Sequence, residues 1–292
     1  MFIFGYYIII LKVELIQLKN NLLKVLIPQY GVEESEQFFF MLSETYLGVS
    51  KIDVALNPKL LVNKEKHVLF SSALERLLTN EPIQYIIGST YFYGNDFEVN
   101  RHTLIPRPET EELVDWIIND TGNKALKILD IGTGSGCIAI SVAHKLPKAQ
   151  LTAMDISAEA LTMAKKNADK LKVCVNFEEQ DVLKLTEFTN EFDIVVSNPP
   201  YVRELEKEMM SANVLDYEPD LALFVSDTNP LIFYYKIAEL FLAQAKKNAL
   251  LYFEINEYLG TELKEGLQKM GFTFVEIRQD FRAKERMLKA SI

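Results

Sequence analysis

The sequence predicts an α/β protein in which a mainly parallel sheet of seven strands follows a small helical bundle. Three observations support this fold class. From residue 125 onward, apolar strand-like runs alternate with amphipathic helices, as in successive βαβ units. A glycine-rich turn follows the first of these strands directly. Before residue 80, leucines and phenylalanines recur at three- and four-residue steps, which is the period of a helix.

Composition bounds the possible functions. With 292 residues and roughly 150 residues per domain, two domains are expected. Subtracting 41 Asp and Glu from 31 Lys and Arg leaves a net charge of −10, so non-specific binding to nucleic acid is not expected. The two cysteines form no C-x-x-C pair and the three histidines are scattered, which predicts a reducing compartment and no metal site.

The first eleven residues, MFIFGYYIIIL, carry no charge. A membrane span needs about 20 apolar residues, so this run is too short to cross a bilayer. It also lacks the basic residues before the apolar stretch and the small-residue cleavage site after it that a secretory signal requires. We interpret it as an extra apolar segment packed on the protein, or as a start codon assigned too early, in preference to membrane attachment.

The chain divides into three parts. Residues 13–80 have the helical period and are predicted to form several short helices, with breakers at Pro28, Gly31, Gly48, Asn57, Pro58 and Pro82. Residues 85–104 are aromatic and β-branched, with turns at Gly88 and at Gly94 and Asn95, as in a hairpin. We therefore predict an N-terminal helical domain over 1–82, a β-hairpin linker over 83–105 and the sheet domain over 106–292.

The sheet domain follows one order of elements. Strands are predicted at 126–132, 150–155, 173–181, 192–198, 249–255, 272–277 and 286–290. Helices are predicted at 137–146, 158–171, 232–247 and 261–270. Because no helix separates the last two strands, they are expected to form an antiparallel hairpin at one edge of the sheet.

The first strand runs into a turn with three glycines, after which a helix begins at once. Its residues are Gly132, Thr133, Gly134, Ser135 and Gly136. Glycine lets the backbone turn sharply and approach a ligand closely, so we expect a nucleotide-like ligand here. The turn lacks the third glycine of the dinucleotide fingerprint, where Cys137 stands, and the Lys-Ser/Thr pair of a phosphate-binding loop.

Three acids stand at the carboxyl ends of consecutive strands. Asp130 lies beside the glycine turn, Asp155 is placed to accept ribose hydroxyls, and Asp181 to accept from the amino group of adenine. Each acid alone is more typical of a helix N-cap or a solvated loop than of a ligand site. Together with the turn, they indicate a cationic sulfonium nucleoside such as S-adenosylmethionine.

The fourth strand leads into Asn198, Pro199, Pro200 and Tyr201. The two prolines fix the backbone and remove two N–H donors, so carbonyl groups remain as acceptors. A nitrogen with two hydrogens could donate one to the Asn198 side chain and one to the Pro199 carbonyl, while Tyr201 stacks on the planar group. The alternative is a proline-stiffened turn without chemistry, which the position opposite the glycine turn disfavours.

The motifs DIGTGSG and SNPPY resemble those of class I S-adenosylmethionine-dependent methyltransferases that act on planar nitrogens. Further segments are similar to the peptide chain release factor glutamine methyltransferases, the PrmC (HemK) family. They are PIQYIIG at 82–88, FEV at 97–99, LIPRPETEEL at 104–113, YEP at 217–219 with Ala222 and Leu223, and Arg286. The resemblance covers all but about the first twelve residues.

This resemblance implies a Rossmann-like seven-stranded methyltransferase sheet and methylation of the glutamine side-chain nitrogen, N5, in the Gly-Gly-Gln motif of release factors. The cofactor is then S-adenosyl-L-methionine, the product S-adenosyl-L-homocysteine, and no metal is required. Release factors are the expected partners of a cytoplasmic monomer that binds neither nucleic acid stably nor membrane. The implied cofactor-binding residues are Asp130, Gly132, Thr133, Gly134, Ser135, Gly136, Asp155, Asp181, Val182 and Asn198. The implied catalytic and substrate-binding residues are Asn198, Pro199, Pro200 and Tyr201.

Four further residues qualify the resemblance. Arg107 and Glu109 either help to form the cofactor pocket or dock the release factor, or they form an interdomain ion pair. Asn256 stands where the family usually has glycine, and because asparagine tolerates positive φ we expect the turn to be retained. Val182 stands where some relatives carry an aromatic residue, which weakens stacking on adenine.

Two alternatives remain. An adenine-N6 nucleic-acid methyltransferase would share the residues 198–201, but it should also carry a basic groove or a target-recognition domain. A non-catalytic protein that only binds release factors would need neither those residues nor the complete glycine turn.

Overall fold

The computed structural model describes residues 12–122, 124–244 and 246–292. They form two compact units, of which the first ends at Ile87 and the second begins at Gly88. The interpretation of the apolar residues 1–11 lies outside the described residues. Within those ranges, no helix has the length and apolar character to cross a membrane.

The first unit is a helical bundle with a two-stranded ribbon. Its elements are β1 (Lys12–Glu14), α1 (Leu15–Leu47), α2 (Lys51–Leu56), β2 (Leu61–Asn63), α3 (Lys64–Leu78) and α4 (Ile83–Ile87). The sequence predicted helices throughout. The ribbon departs from that prediction because β1 pairs antiparallel with β2, with Val13 opposite Val62, and this pairing satisfies backbone groups just before α1 and α3 begin.

Two glycines divide the bundle as the sequence predicted, whereas one proline does not. Gly31 has φ 76° and interrupts the helical backbone of α1, and Gly48 ends α1 in the left-handed conformation. Pro28 lies within α1, and the interruption follows three residues later. Tyr85, predicted to begin the hairpin region, lies in α4.

The second unit contains the remaining elements. They are β3 (Ser89–Phe92), β4 (Asn95–Glu98), α5 (Pro108–Thr121), β5 (Lys127–Ile131), α6 (Cys137–Lys145), β6 (Gln150–Asp155), α7 (Ala158–Leu171), β7 (Val175–Glu179), β8 (Ile194–Ser197), β9 (Val202–Arg203), α8 (Ala212–Tyr217), α9 (Asp220–Leu223), β10 (Phe224–Val225), α10 (Ile232–Gln244), β11 (Leu250–Glu254), α11 (Gly260–Met270), β12 (Phe274–Gln279) and β13 (Glu285–Ser291). Two short 3₁₀ helices span Val182–Lys184 and Glu204–Met209.

Seven of these strands form one sheet in the order β12-β13-β11-β8-β5-β6-β7. Strands β11, β8, β5, β6 and β7 are parallel to one another, and β13 is antiparallel to both β11 and β12. The α/β prediction, with its antiparallel hairpin at one edge, is therefore confirmed. The chain proceeds outward in one direction from β5 and in the other from β8, so a crevice opens at the carboxyl ends of these two strands.

Helices cover both faces of this sheet. Neighbouring residues of β5 show the alternation, because Ile128 packs in the cluster with α5 and α6 while Leu129 packs in the cluster with α10 and α11. Trp116 of α5 and Tyr252 of β11 meet edge to face, with ring centroids 5.6 Å apart. Because both faces of the sheet are buried, its central strands β5 and β8 consist mostly of apolar residues.

The predicted hairpin is formed by β3 and β4. Its tight turn lies at Tyr93 and Gly94, with φ of 45° and 82°, whereas Asn95 already belongs to β4. The turn therefore lies one residue earlier than predicted. Its two positive φ values match the right-handed twist of a two-residue hairpin.

Candidate active site

A cavity of about 410 Å³ opens at the carboxyl ends of β5, β6 and β8. The glycine turn, the residues after β6 and β7, and the segment after β8 line it. Further walls come from residues 101–104, from residues 219–222 and from α10. The structure thus brings together two of the motifs that the sequence singled out, the glycine turn and the residues after Ser197.

The glycine turn is held against the neighbouring strand. The backbone N–H groups of Gly132 and Thr133 both donate to the Met154 carbonyl, at 2.9 and 3.0 Å. Gly132 has φ 73°, and a Cβ there would stand 3.9 Å from the Asn198 carbonyl oxygen. The turn therefore needs the left-handed backbone, and it brings the first glycine next to the segment after β8.

Asp130 lies beneath the turn and does not line the cavity. Its Oδ2 accepts hydrogen bonds from Thr133 Oγ1 at 2.7 Å and from the Ala139 N–H at 3.3 Å. Its Oδ1 is buried without a partner in the described part of the chain, and burial raises the pKa of this carboxyl to about 7. The structure therefore shows Asp130 supporting the turn, and Thr133, Ser135 and Gly136 likewise build the turn without lining the cavity.

Asp155 and Asp181 do line the cavity. Asp155 accepts from the Gly134 N–H at 2.8 Å and from the Ser157 N–H at 2.9 Å, and burial raises its pKa. Each of its oxygens keeps a further lone pair for a ligand. Asp181 accepts from the Leu183 N–H at 3.0 Å and so caps the 3₁₀ helix that follows, while Val182 is buried in the cavity wall.

Asn198, Pro199 and Pro200 line the cavity opposite the glycine turn. Ser197, just before them, donates from Oγ to the Ile131 carbonyl at 2.7 Å and joins the ends of β8 and β5. Tyr201 turns away from the cavity. Its ring packs against the apolar cluster of α10 and α11, and its hydroxyl donates to Glu254 Oε1 at 3.0 Å.

Sequence reasoning did not include Glu254 in the site. Its carboxylate is buried and also accepts from Thr110 Oγ1 at 2.5 Å. Burial raises the pKa of Glu254, and its hydrogen bonds to Thr110 and Tyr201 oppose that shift. The available signal was its position, because β11 is the parallel neighbour of β8 and ends at the same edge of the sheet.

Arg107 and Glu109 do not line the cavity, and each has an ion-pair partner inside the second unit. Arg107 Nη2 lies 2.6 Å from Oε1 of the buried Glu218, whose other oxygen accepts from the Ile105 N–H at 3.2 Å. Glu109 lies 3.4 Å from Arg282. The first pair joins two segments whose neighbouring residues form cavity walls.

Asn256 keeps its turn in a different way from the one predicted. It does not have positive φ. Its Nδ2 donates to the Tyr201 carbonyl and to Glu206 Oε2, both at 3.0 Å, and its Oδ1 accepts from the Tyr258 N–H at 2.9 Å. Side-chain hydrogen bonds of Asn256, and not the positive φ that asparagine tolerates, therefore shape this turn.

Other lining residues were missed because their partners are distant in sequence. Arg101, His102 and Leu104 were expected in the linker, and Ile156, Leu183 and Phe233 had no motif to mark them. Across the described ranges, no group of three His, Cys, Asp or Glu side chains is placed to hold a metal ion.

Comparison with known proteins covers both units. Residues 25–88 match the PrmC N-terminal domain family and residues 110–217 the methyltransferase small domain family. The release factor glutamine methyltransferase of Flavobacterium psychrophilum is 46% identical over 277 residues, which cover 94% of this chain and 97% of the relative. The protein of the same name from Bacteroides thetaiotaomicron is 43% identical over 263 residues, with 90% and 94% covered.

Solved structures match the fold. The hMettl16 catalytic domain, in complex with MAT2A 3'UTR hairpin 6, aligns with a TM-score of 0.55 at 15% identity. The alignment covers 80% of this chain and 84% of that one. A methyltransferase from Pyrococcus furiosus aligns with a TM-score of 0.50 at 18% identity, covering 75% of this chain and 98% of that one.

Proposed function

The chain belongs to the release factor glutamine methyltransferase family, and we propose that it methylates the side-chain nitrogen, N5, of the glutamine in the Gly-Gly-Gln motif of peptide chain release factors. One observation carries the proposal. Asn198, Pro199 and Pro200 line the same cavity as Gly132 and Gly134, on the two adjacent strands where the sheet reverses its order. Such a crevice holds a nucleoside on one side and a reacting group on the other.

The residues around the cavity fit S-adenosyl-L-methionine. Oxygen acceptors at Asp155 and Asp181 suit ribose hydroxyls and an adenine amino group, and the apolar side chains of Ile156 and Val182 suit a base. When bound, this cofactor supplies the methyl group as an electrophile on a sulfonium centre. Asp130 contributes indirectly, since it holds the turn through Thr133.

The chain's own residues orient the acceptor. A primary amide has two N–H donors, and the Asn198 side-chain oxygen and the Pro199 carbonyl are the acceptors proposed for them. The amide nitrogen is a weak nucleophile, because its lone pair is delocalised into its carbonyl, so alignment and acceptors for the developing positive charge provide the rate enhancement. The nitrogen becomes acidic as it gains the methyl group, and no general base is required before the attack.

Release factors are the proposed protein partners, with the helical unit as their docking module. The net charge of −10 favours a protein partner over a polyanion. The proposal also assigns the reaction to the cytoplasm, where release factors act, and to a monomeric enzyme.

A labelling experiment tests the proposed substrate. The protein is incubated with S-adenosylmethionine carrying a labelled methyl group, together with purified release factor, and the labelled residue is identified by mass spectrometry. Label on the glutamine nitrogen of the Gly-Gly-Gln motif is expected. Label on added nucleic acid in place of the release factor would support a base methyltransferase, and no label on either would support a binding protein without catalysis.

Replacing Asn198 tests the proposed role of its amide. For Asn198→Ala we expect a fall in turnover of about 100-fold or more, as is typical when a positioned polar partner of a transition state is removed. The thermal unfolding midpoint should stay close to wild type. Asn190→Ala, at an exposed loop asparagine, is the matched control and should keep wild-type turnover. Normal turnover by a folded Asn198→Ala protein would refute the assignment.

A further inference from the structure

Three side chains from three separate parts of the chain form a hydrogen-bonded series next to the cavity. Asn198 Nδ2 lies 3.4 Å from Thr110 Oγ1, and Thr110 Oγ1 lies 2.5 Å from Glu254 Oε2. Asn198 follows β8, Thr110 lies in the first turn of α5, and Glu254 ends β11. Thr110 and Glu254 are both buried, so water does not satisfy these groups.

The chemistry of the series fixes which atom donates at each step. An ionised carboxylate only accepts hydrogen bonds, so the single hydroxyl proton of Thr110 is committed to Glu254. The Thr110 oxygen can then only accept from the side of Asn198. In the structure the amide of Asn198 accordingly directs its Nδ2 towards Thr110, which leaves its carbonyl oxygen on the other side.

We propose that Thr110, held by Glu254, is a positioning residue that fixes the amide orientation of Asn198 so that its oxygen faces the cavity as the acceptor for the substrate amide. This inference rests on the proposed function, because it explains how one residue of that site is oriented. Without the series, an asparagine amide can rotate by half a turn and present its NH₂ group to the substrate. Two NH₂ groups would then face each other and no hydrogen bond would form.

Glu254 also fixes the other end of the same segment. Its second oxygen accepts from the Tyr201 hydroxyl at 3.0 Å, so one carboxylate holds both the first and the last residue of the sequence Asn198–Tyr201. Arg286 helps to keep this carboxylate charged in its buried position. Its guanidinium also bonds to the Ile255 carbonyl at 3.4 Å and to Asp280 at 3.2 Å.

The bond between Asn198 and Thr110 is long for an N–H···O contact. Hydrogen bonds of catalytic groups commonly tighten once substrate is bound. The series can therefore orient the Asn198 amide before substrate binds and still let that amide adjust its position when substrate arrives. The shorter contact, between Thr110 and Glu254, is the one that sets the direction of the donors.

The test replaces Thr110 with residues of similar size. Thr110→Val keeps the shape and removes the hydroxyl, and we expect kcat for release factor methylation to fall about 10- to 100-fold, with the Kd for S-adenosylmethionine within about twofold of wild type. Thr110→Ser restores the hydroxyl and should recover most of kcat. The matched control is Thr121→Val on the same helix. Its hydroxyl bonds to the helix carbonyls of Ile117 and Ile118, and the variant should keep wild-type kcat.

A double-mutant cycle makes the test specific. Glu254→Gln alone should lower kcat, because only one of the two positions on its amide can accept a hydrogen bond, so either Thr110 or Tyr201 loses its acceptor. The double variant with Thr110→Val should lose little more than the worse single variant, since both changes break one series. If the fold-loss of kcat in the double variant equals the product of the fold-losses in the two single variants, the proposal is overturned.

The outcomes separate this inference from the proposed function. Wild-type protein that labels no release factor overturns the proposed function and this inference with it. Wild-type labelling together with wild-type kcat in folded Thr110→Val overturns the inference alone. Should Thr110→Val fail to fold, wild-type kcat in Thr110→Ala, which also removes the hydroxyl, overturns it equally.

Discussion

Asp130 shows what burial does to a single acid beside the cavity. Its pKa lies near 7 in the folded protein, against about 4 for an aspartate in an unfolded chain. The folded state therefore binds the proton more tightly than the unfolded state does between these two values. The contribution of Asp130 to stability is complete below about pH 4, is lost as the pH rises towards about 7, and stays lost above that.

Asp130→Asn removes this titration. We expect the free energy of unfolding of the wild type to fall relative to that of the variant as the pH is raised from about 4 through about 7, with little further relative change above about pH 8. Chemical denaturation at five or six pH values measures the difference. Asp96→Asn, at an exposed position in β4, serves as the control. A wild type and an Asp130→Asn variant with parallel pH curves would contradict the expectation.

Asn167 marks the limit of prediction at the residue scale. It lies in α7, where the sequence shows only a polar residue in an amphipathic helix. In the fold it is fully buried, and it bonds to the Glu98 N–H at 2.7 Å and to the carbonyls of Glu98 and Ser135 at 2.9 Å. Its partners lie 69 and 32 residues away in the sequence, so the helical period of α7 does not reveal them.

At the scale of elements, the glycine turn joins β5 to two helices. Gly136 has φ 83°, and a Cβ there would lie 2.6 Å from Ile140 Cδ1 and 3.2 Å from Ala164 Cβ. Glycine is therefore required at position 136 both by the left-handed backbone and by the close approach of α6 and α7. Gly271, just after α11, also has the left-handed backbone, but a Cβ there would meet nothing within 4 Å.

Alanine variants at these two glycines separate the cost of backbone strain from the cost of a packing clash. Gly271→Ala should cost about 1 to 2 kcal/mol of unfolding free energy through the left-handed backbone alone. Gly136→Ala should cost about 1 to 3 kcal/mol more, because the methyl group also clashes with its neighbours. Urea denaturation of both variants at one pH measures these values. Equal losses in the two variants would mean that the α6 and α7 side chains relax freely around the added methyl group.

Elements that follow from a local sequence pattern were predicted well. Elements that form only by pairing with a distant segment of the chain were not. The strands and helices that were predicted in the second unit lie within a few residues of their observed positions, because apolar runs and the helical period are local signals. Helix α5 was not predicted. The short strands β9 and β10 pair with each other across 22 residues and were missed. Tyr201 illustrates the same limit in the site, since its motif did not reveal that its hydroxyl bonds to Glu254.

At the scale of the whole molecule, the cavity belongs to one unit. Its lining residues run from Arg101 to Ile237, and all of them lie after the boundary between Ile87 and Gly88. The sequence predicted two domains from length and pattern, and the structure has two compact units. Cofactor binding and substrate docking are therefore expected to be separable.

A fragment of residues 88–292 tests that separation. We expect it to bind S-adenosylmethionine with a Kd within about threefold of the full chain by isothermal titration calorimetry, because it retains every residue that lines the cavity. Its kcat/KM for release factor should fall at least tenfold, since the proposed docking module is removed. A fragment with full activity on release factor would show that the helical unit does not dock the substrate.

The position of β13 has a consequence for how the protein is made. This strand comes last among the described elements, yet it lies between β11 and β12, and its Met287 pairs with Glu254. While the chain is being synthesised, β11 is therefore unpaired on one side until residues 285–291 have emerged from the ribosome. The carboxylate that we propose orients Asn198 thus reaches its final surroundings only after residues 285–291 have been synthesised, later than every residue that lines the cavity.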